Sequence, residues 1–275
     1  MTPEFLTVGH VAWDQIARGS TLGGTAAYAS ITALRMGLHP ALVTSHSTDL
    51  DPALVLPGVR VHSVPSAQTT SFRNTYVDGV RTQLLTAVAE PLTEADVPDE
   101  FLAAPLVLLG PLTGEVTAGL ARAFPTSEVL ACLQGWLRVR GEGDVVLLAD
   151  WEGTEVLPAV SAAVVSAEDV PDPTAVDRWK TMVPVLIVTE GGAGARVHHR
   201  GAWHRIEPHP AQEVDPTGAG DVFAAAYLVR YGETSDPLES AKFAACAASF
   251  CVEAHGTAGI PSRKQVEERL AAAGH

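Results

Sequence analysis

Apolar residues in this chain gather in short dense runs, and only some of those runs have helical spacing. Phe5-Leu6-Thr7-Val8-Gly9 reads as a buried first strand ending in a glycine, and 41–44 and 59–62 as the next short strands. After Pro98 the pattern alternates strand and helix. Runs at 106–110, 129–133, 162–166 and 184–189 read as strands, and 115–124 as a helix. Residues 25–37 form a small-residue helix closed by Gly37 at its C-terminal cap, and 237–254 an apolar helix. Ser262-x-x-Gln265 is a capping box that starts the last helix.

One stretch has a different pattern. Residues 69–77 and 80–86 are strand-like but rich in Thr and Arg, and Asp78-Gly79 between them favours a type I′ hairpin turn. Such a hairpin lies outside the main core. With a strand near 15–21 it makes either a small β lid or an exposed arm for dimerisation, and the two readings are compatible.

Length and charge narrow the class. A chain of 275 residues with 47% hydrophobic content can bury the core of one large α/β domain, alone or with a small appendage. A net charge of −14 argues against nucleic acid or an anionic membrane as partner. It leaves room for a nucleotide, which a few local donors bind and which arrives with Mg2+. Cys132, Cys246 and Cys251 have no metal-ligand spacing, and an odd count makes a poor disulfide framework. The opening Met-Thr-Pro-Glu has no basic leader and no apolar run reaches membrane-spanning length, so a cytoplasmic location is expected.

The candidate chemistry centres on Asp215-Pro216-Thr217-Gly218-Ala219-Gly220-Asp221, which runs straight into an apolar helix. A Gly-Ala-Gly turn there presents unpaired N–H groups and the positive end of the helix dipole, a ready anion site. Asp221, in the first turn, is suited to take a proton from a hydroxyl that attacks a phosphoryl group. The plainer alternative is a Gly-rich loop with an acidic first-turn residue. Asp14, about one strand-length beyond the first strand, can accept hydrogen bonds from neighbouring sugar hydroxyls, or can be a solvated loop carboxylate. Gly23-Gly24 opens the small-residue helix and permits close approach of backbone to ligand. His198, His199, His204 and His209 lack metal-ligand spacing, and strand alternation separates the first two, so they read as surface residues.

The 215–221 stretch resembles the second signature of the PfkB, or ribokinase-like, carbohydrate kinases. The resemblance implies Gly218, Ala219 and Gly220 for an anion hole and Asp221 for a catalytic base. Asp14, with Gly23-Gly24 opening its helix, resembles the family's first signature, which implies sugar contact. That signature usually has an Asn four positions after the second Gly, where this chain has Tyr28. Thr189-x-Gly191-x-x-Gly194 matches the family's nucleotide-side loop, and Thr217, Ala248 and Gly256 are implied nucleotide contacts. Gln134 and Arg138 follow the strand where relatives carry Asp-x-Asn or Asp-x-Gln and then Arg, with Cys132 at the acidic position. Glu168 and Asp169 stand where the family's Asn-x-x-Glu helps hold Mg2+ through water. They also suit a helix N-cap followed by first-turn acids.

The resemblance implies a single ribokinase-like α/β domain over 1–275: a three-layer sandwich with a mainly parallel sheet and a small β lid near 15–21 and 69–87. It implies ATP and Mg2+ as cofactors, with room for a monovalent cation such as K+, and a homodimer through the lid. The expected function is ATP-dependent phosphorylation of a small sugar or polyol. Thr69-Thr70-Ser71-Phe72, the 79–83 run and the Gln134-Gly135 segment resemble the inositol-kinase-like branch, with myo-inositol as acceptor. Ribose, fructose or nucleoside kinases, and a non-catalytic sugar or nucleotide sensor, are the alternatives. A dinucleotide fold is disfavoured because no Gly-x-Gly-x-x-Gly follows the first strand.

Overall fold

Strands that are apolar on both faces need cover on both, which is what parallel strands receive in a layered α/β fold. The structure, a computed structural model, describes residues 2–16, 19–77 and 80–274. In chain order its elements begin with β1 (Phe5–Val8), β2 (Ala12–Ile16), β3 (Gly19–Gly23), α1 (Thr25–Arg35), β4 (Pro40–His46), α2 (Pro52–Val55) and β5 (Arg60–Pro65). Then come β6 (Ser71–Val77), β7 (Val80–Ala87), β8 (Leu106–Leu109), β9 (Glu128–Cys132), β10 (Arg138–Arg140), β11 (Val146–Leu148) and β12 (Ala162–Ser166). The chain closes with α3 (Thr174–Trp179), β13 (Val185–Thr189), β14 (Ala195–His199), β15 (Ala202–Ile206), α4 (Ala219–Thr234), α5 (Pro237–Cys251) and α6 (Arg263–Ala272).

The main sheet has the order β15-β14-β13-β12-β9-β8-β1-β4-β5. It is parallel from β13 to β5, and β14 and β15 add an antiparallel edge. Alternation along each central strand feeds two cores. Leu108, Leu130, Val164 and Ile187 pack under α1, α4 and α5, whereas Leu109, Ala131, Val165 and Leu186 face the opposite layer. The fold is the three-layer, ribokinase-like α/β sandwich.

The second layer differs from the sequence expectation. The 115–124 segment holds a short 3-10 helix, Ala118–Arg122, rather than an α-helix. Glu115 does not open a helix. Its buried carboxylate instead accepts the N–H groups of Leu112 (2.9 Å), Thr113 (2.8 Å) and His10 (3.2 Å). The 237–254 helix ends earlier than expected, at Cys251.

A separate four-stranded sheet, β3-β2-β6-β7, stands off the main body. The single strand expected near 15–21 is two antiparallel strands, β2 and β3, with Asp14 opposite Thr21. Gly19 begins the return at φ +110°. β6 and β7 pair antiparallel; the Asp78-Gly79 turn itself lies outside the described residues. His10, wholly buried where β1 leads into this sheet, places Nε2 2.9 Å from the Glu90 carbonyl and Nδ1 2.8 Å from Thr70 Oγ1. The carbonyl can only accept, so Nε2 carries the proton and the Thr70 hydroxyl donates to Nδ1. Thr70 Oγ1 in turn accepts the Ala89 N–H at 3.0 Å. One imidazole therefore ties the entries and exits of three of the four strands. Among the described residues, no helix is long and apolar enough to cross a membrane.

Candidate active site

Register aligns the carboxyl ends of the parallel strands. Val8 pairs with Leu109, Leu109 with Ala131, Cys132 with Val164, and Ser166 with Thr189. Ligands of open α/β sheets bind beyond this edge. α4 starts there too, through a turn that the sequence shapes closely. Gly218, at φ +78°, adopts the left-handed conformation that a side chain resists. The N–H of Ala219 closes the turn on the Pro216 carbonyl (3.3 Å), and that of Val222 reaches Gly218 O (2.9 Å). Among the described residues, no backbone carbonyl accepts the amides of Gly220 and Asp221, which lie between them. Gly220 is exposed, and a Cβ there would meet nothing within 4 Å beyond its own stretch of chain, so this side of the turn is open.

Asp215 secures the turn from below. Its Oδ1 accepts the Thr217 N–H (3.0 Å), and its Oδ2 the Gly256 N–H (3.2 Å), with His255 Nδ1 at 3.5 Å. Burial alone raises the pKa of this carboxyl, and the hydrogen bonds from Thr217, Gly256 and His255 outweigh it, holding the group below its usual range. One carboxylate thus joins the 215–221 turn to the 256–259 turn.

Asp221 lies in the first turn of α4, partly exposed as a residue but with its carboxyl enclosed by protein. Burial raises its pKa to about 6. The Thr25 hydroxyl and the Arg138 guanidinium oppose that rise, whereas Asp169 and Asp14 add to it. Residues from five separate segments therefore share one electrostatic site.

Asp14 sits on β2 against the backbone of Gly23. A Cβ at Gly23 would fall 2.1 Å from Asp14 Oδ2, so only glycine admits the carboxylate here. Gly24, at φ +90°, caps α1, and its Cβ position would clash with the His10 carbonyl at 2.8 Å. Gln134 and Arg138 converge on Asp169. Gln134 Nε2 donates to Oδ2 and Arg138 Nη2 to Oδ1, each at 3.0 Å. Arg138 Nη1 reaches Gln83 Oε1 on β7 at 3.5 Å, linking the separate sheet to the main one. Asp169 is buried, whereas Glu168 is exposed with its N–H held by Ser166 Oγ. Ser166 is therefore an N-cap, and of the two acids only Asp169 faces this cluster.

Thr189 ends β13, and Gly191 and Gly194 shape the following turn at φ +54° and +91°. Ala248 lies in α5 against the core, and Gly256 starts the turn that Asp215 holds. Among the described residues no group of three or more His, Cys, Asp or Glu is arranged to hold a metal ion. The sequence pattern did not single out Thr25 or Asp215 as site-forming groups. Thr25 was legible only as the residue after Gly24, and the bridge made by Asp215 depends on a contact 41 residues away.

Residues 162–264 match the family model described as pfkB family carbohydrate kinase. That stretch carries a PfkB-family carbohydrate kinase match. Among the chain's relatives, an inositol 3-kinase from Oryza sativa subsp. japonica is 33% identical over 247 residues, spanning 82% of this chain and 62% of that one. An inositol 3-kinase from Zea mays is 30% identical over 251 residues, spanning 82% and 65%. The chain thus spans a little under two thirds of the length of these relatives. A solved pyrophosphate-dependent kinase in the ribokinase family, complexed with a pyrophosphate analog and myo-inositol, superposes with a TM-score of 0.80. It is 23% identical, and the match covers 96% of this chain and 99% of that one. Arabidopsis thaliana ribokinase complexed with ribose and ATP gives 0.74 at 21% identity, covering 98% and 99%. These two likenesses show the fold the chain adopts.

Proposed function

We propose that this protein transfers the γ-phosphoryl group of ATP to a hydroxyl of a small polyol or sugar, myo-inositol foremost. The observation that carries the reading is Asp221, a carboxyl with its pKa raised to about 6 beside the open amide face of the Gly218–Gly220 turn. Such a group is poised to accept a proton near neutral pH. Asp14 and the Gly23-Gly24 backbone hold the acceptor, with Gln134 and Arg138 as further polar groups of the cleft. Asp221 takes the proton of the attacking hydroxyl, whose oxygen displaces ADP in line at the γ-phosphorus. The amides of Gly218, Gly220 and Asp221 hold the developing charge, while the Ala219 N–H closes the turn that presents them. Thr189, Gly191, Gly194, Thr217, Ala248 and Gly256 line the nucleotide side.

The donor set fits Mg2+. Asp14, Asp169 and Asp221 share a field that Arg138 opposes, and Asp169 retains lone pairs for water after its two hydrogen bonds. Asp169 would hold the ion through water, and the ion would neutralise phosphate charge. The choice of myo-inositol is supported by the two inositol 3-kinase relatives and by the myo-inositol bound in the solved neighbour. A cytoplasmic location accords with an intracellular donor and with three unpaired thiols. Self-association through the lid accords with Ile16, 54% exposed at the end of β2. A dimer in sedimentation that Ile16→Lys dissociates is the expected result, and a monomer at all concentrations removes this part.

The decisive experiment measures phosphoryl transfer from Mg-ATP, and separately from pyrophosphate, to myo-inositol, ribose, fructose and adenosine, with and without K+. Turnover with one acceptor, reduced ~10^2-fold or more in a folded Asp221→Asn variant, is expected. Near-normal turnover in that variant would remove Asp221 from the role. Binding without turnover would favour a sensor.

A further inference from the structure

Tyr28 is the largest side chain in the first half of α1 and is 2% exposed. Its ring packs against the anion-binding turn. A Cβ built on Gly218 would fall 2.1 Å from Tyr28 Cε1, 2.2 Å from Cδ1 and 2.6 Å from Cζ. No real carbon sits so close, so the ring occupies the side-chain space of residue 218, and the turn rests on it. The phenol oxygen extends to 3.8 Å from the Cβ position of Gly256, in the second turn that Asp215 holds. Tyr28 therefore packs on the turn that opens α4 and turns its hydroxyl toward the turn that follows α5, the same two that share the Asp215 carboxylate. The helix carrying it fixes its height, because the Tyr28 N–H bonds to Gly24 O at 3.3 Å and Thr32 Oγ1 donates to Tyr28 O at 2.8 Å. Gly24 and Tyr28 are one helical turn apart, about 6 Å along the axis. One end of that turn faces the acceptor side and the other the phosphate side.

We propose that Tyr28 is a positioning residue for the phosphate donor. It acts as an aromatic shim that sets where the Gly218–Asp221 amides and the Gly256 turn stand, and it makes no contact with the acceptor. This rests on the phosphotransfer reading of the same site. The ring works by shape, so the hydroxyl is dispensable and the aromatic volume is not. Burial also pushes the phenol above its ordinary pKa, so it stays neutral and adds no charge beside a phosphate.

The test compares Tyr28→Phe, Tyr28→Leu and Tyr28→Ala in the full chain. Tyr28→Phe is expected to stay within about twofold of the parent in every constant. Tyr28→Leu and Tyr28→Ala are expected to raise the donor KM ~10-fold and leave the acceptor KM within about twofold. Tyr28→Leu keeps apolar volume in case the alanine variant fails to fold. A rise in acceptor KM with donor KM unchanged overturns the proposal, as does a lowered melting temperature with both KM values unchanged. Calorimetric binding of MgADP and of inorganic pyrophosphate separates this from the activity itself. If the parent binds either anion without turning over any acceptor, the kinase reading fails, yet weaker binding by Tyr28→Leu still supports the positioning role. Equal binding by parent and variant overturns it, and so does a parent that binds neither anion.

Discussion

Asp221 and Thr25 show how two side chains set a working pH. For proton acceptance the Asp221 carboxyl must be charged, and with a pKa of about 6 it loses charge as pH falls through that value. The expected kcat/KM profile therefore has an acid limb near pH 6, and flat activity down to pH 4.5 would contradict it. The Thr25 hydroxyl favours the charged form, so Thr25→Val should move the limb to higher pH, and an unmoved or lowered limb would exclude this role. The same shift bears on stability. A carboxyl whose pKa rises on folding contributes stability that is complete below its unfolded value, near 3.8, and is lost as pH rises through about 6. Above pH 6 the folded chain therefore carries a cost on the order of 1–3 kcal/mol at the residue proposed to accept the proton. Asp221 was legible in the sequence because its neighbours are local. Thr25 was not, because its partner lies 196 positions away, in another helix (221 minus 25).

At the level of elements, local patterns identified the buried strands well and the covering layer poorly. β8, β9, β12 and β13 were readable because a strand buried on both faces is uniformly apolar. The 115–124 segment misled because its apolar spacing fits a helix, whereas Glu115 is committed to backbone N–H groups upstream. The two-strand form of 12–23 was hidden because its few apolar positions do not mark a reversal, and β3 leaves it from Gly19 at φ +110°. The junction of the smaller sheet makes a prediction of its own. His10→Ala would leave the buried Thr70 hydroxyl without its imidazole partner and open a cavity at a wholly buried position, which should cost about 2–4 kcal/mol. Urea unfolding of the variant reads this directly, and a change under ~0.5 kcal/mol would show that the imidazole is not needed there.

Across the whole molecule, the site is assembled from both ends of the chain. Asp14, Gly23 and Thr25 come from the first tenth, Gln134, Arg138 and Asp169 from the middle, and Asp215 to Gly256 from the last quarter. Motif order made this gathering foreseeable, but the contacts within it were not. The Arg138–Asp169 pair, and the Gln83 link to the second sheet, appear only when the β9, β12 and β7 ends are brought side by side. Three acids and one arginine meet at this point, so the local balance is negative like the chain's net charge of −14, beside amide dipoles that carry no net charge.

The buried imidazole at the root of the smaller sheet has a consequence for how such a protein can diversify. The nine-stranded sheet contains no strand from the smaller one, which also reaches the rest of the chain through a Leu84–Val145 bridge and the Gln83–Arg138 hydrogen bond. Of the peptide segments that join the two, those at His10, Thr70 and Ala89 are tied together by one imidazole. An architecture of this kind behaves like a tool with a replaceable jaw. Mutations can accumulate in the outer strands without disturbing the register of the nine-stranded sheet. A lineage can thus inherit the larger sheet intact while the smaller one drifts, provided the small buried clasp is kept.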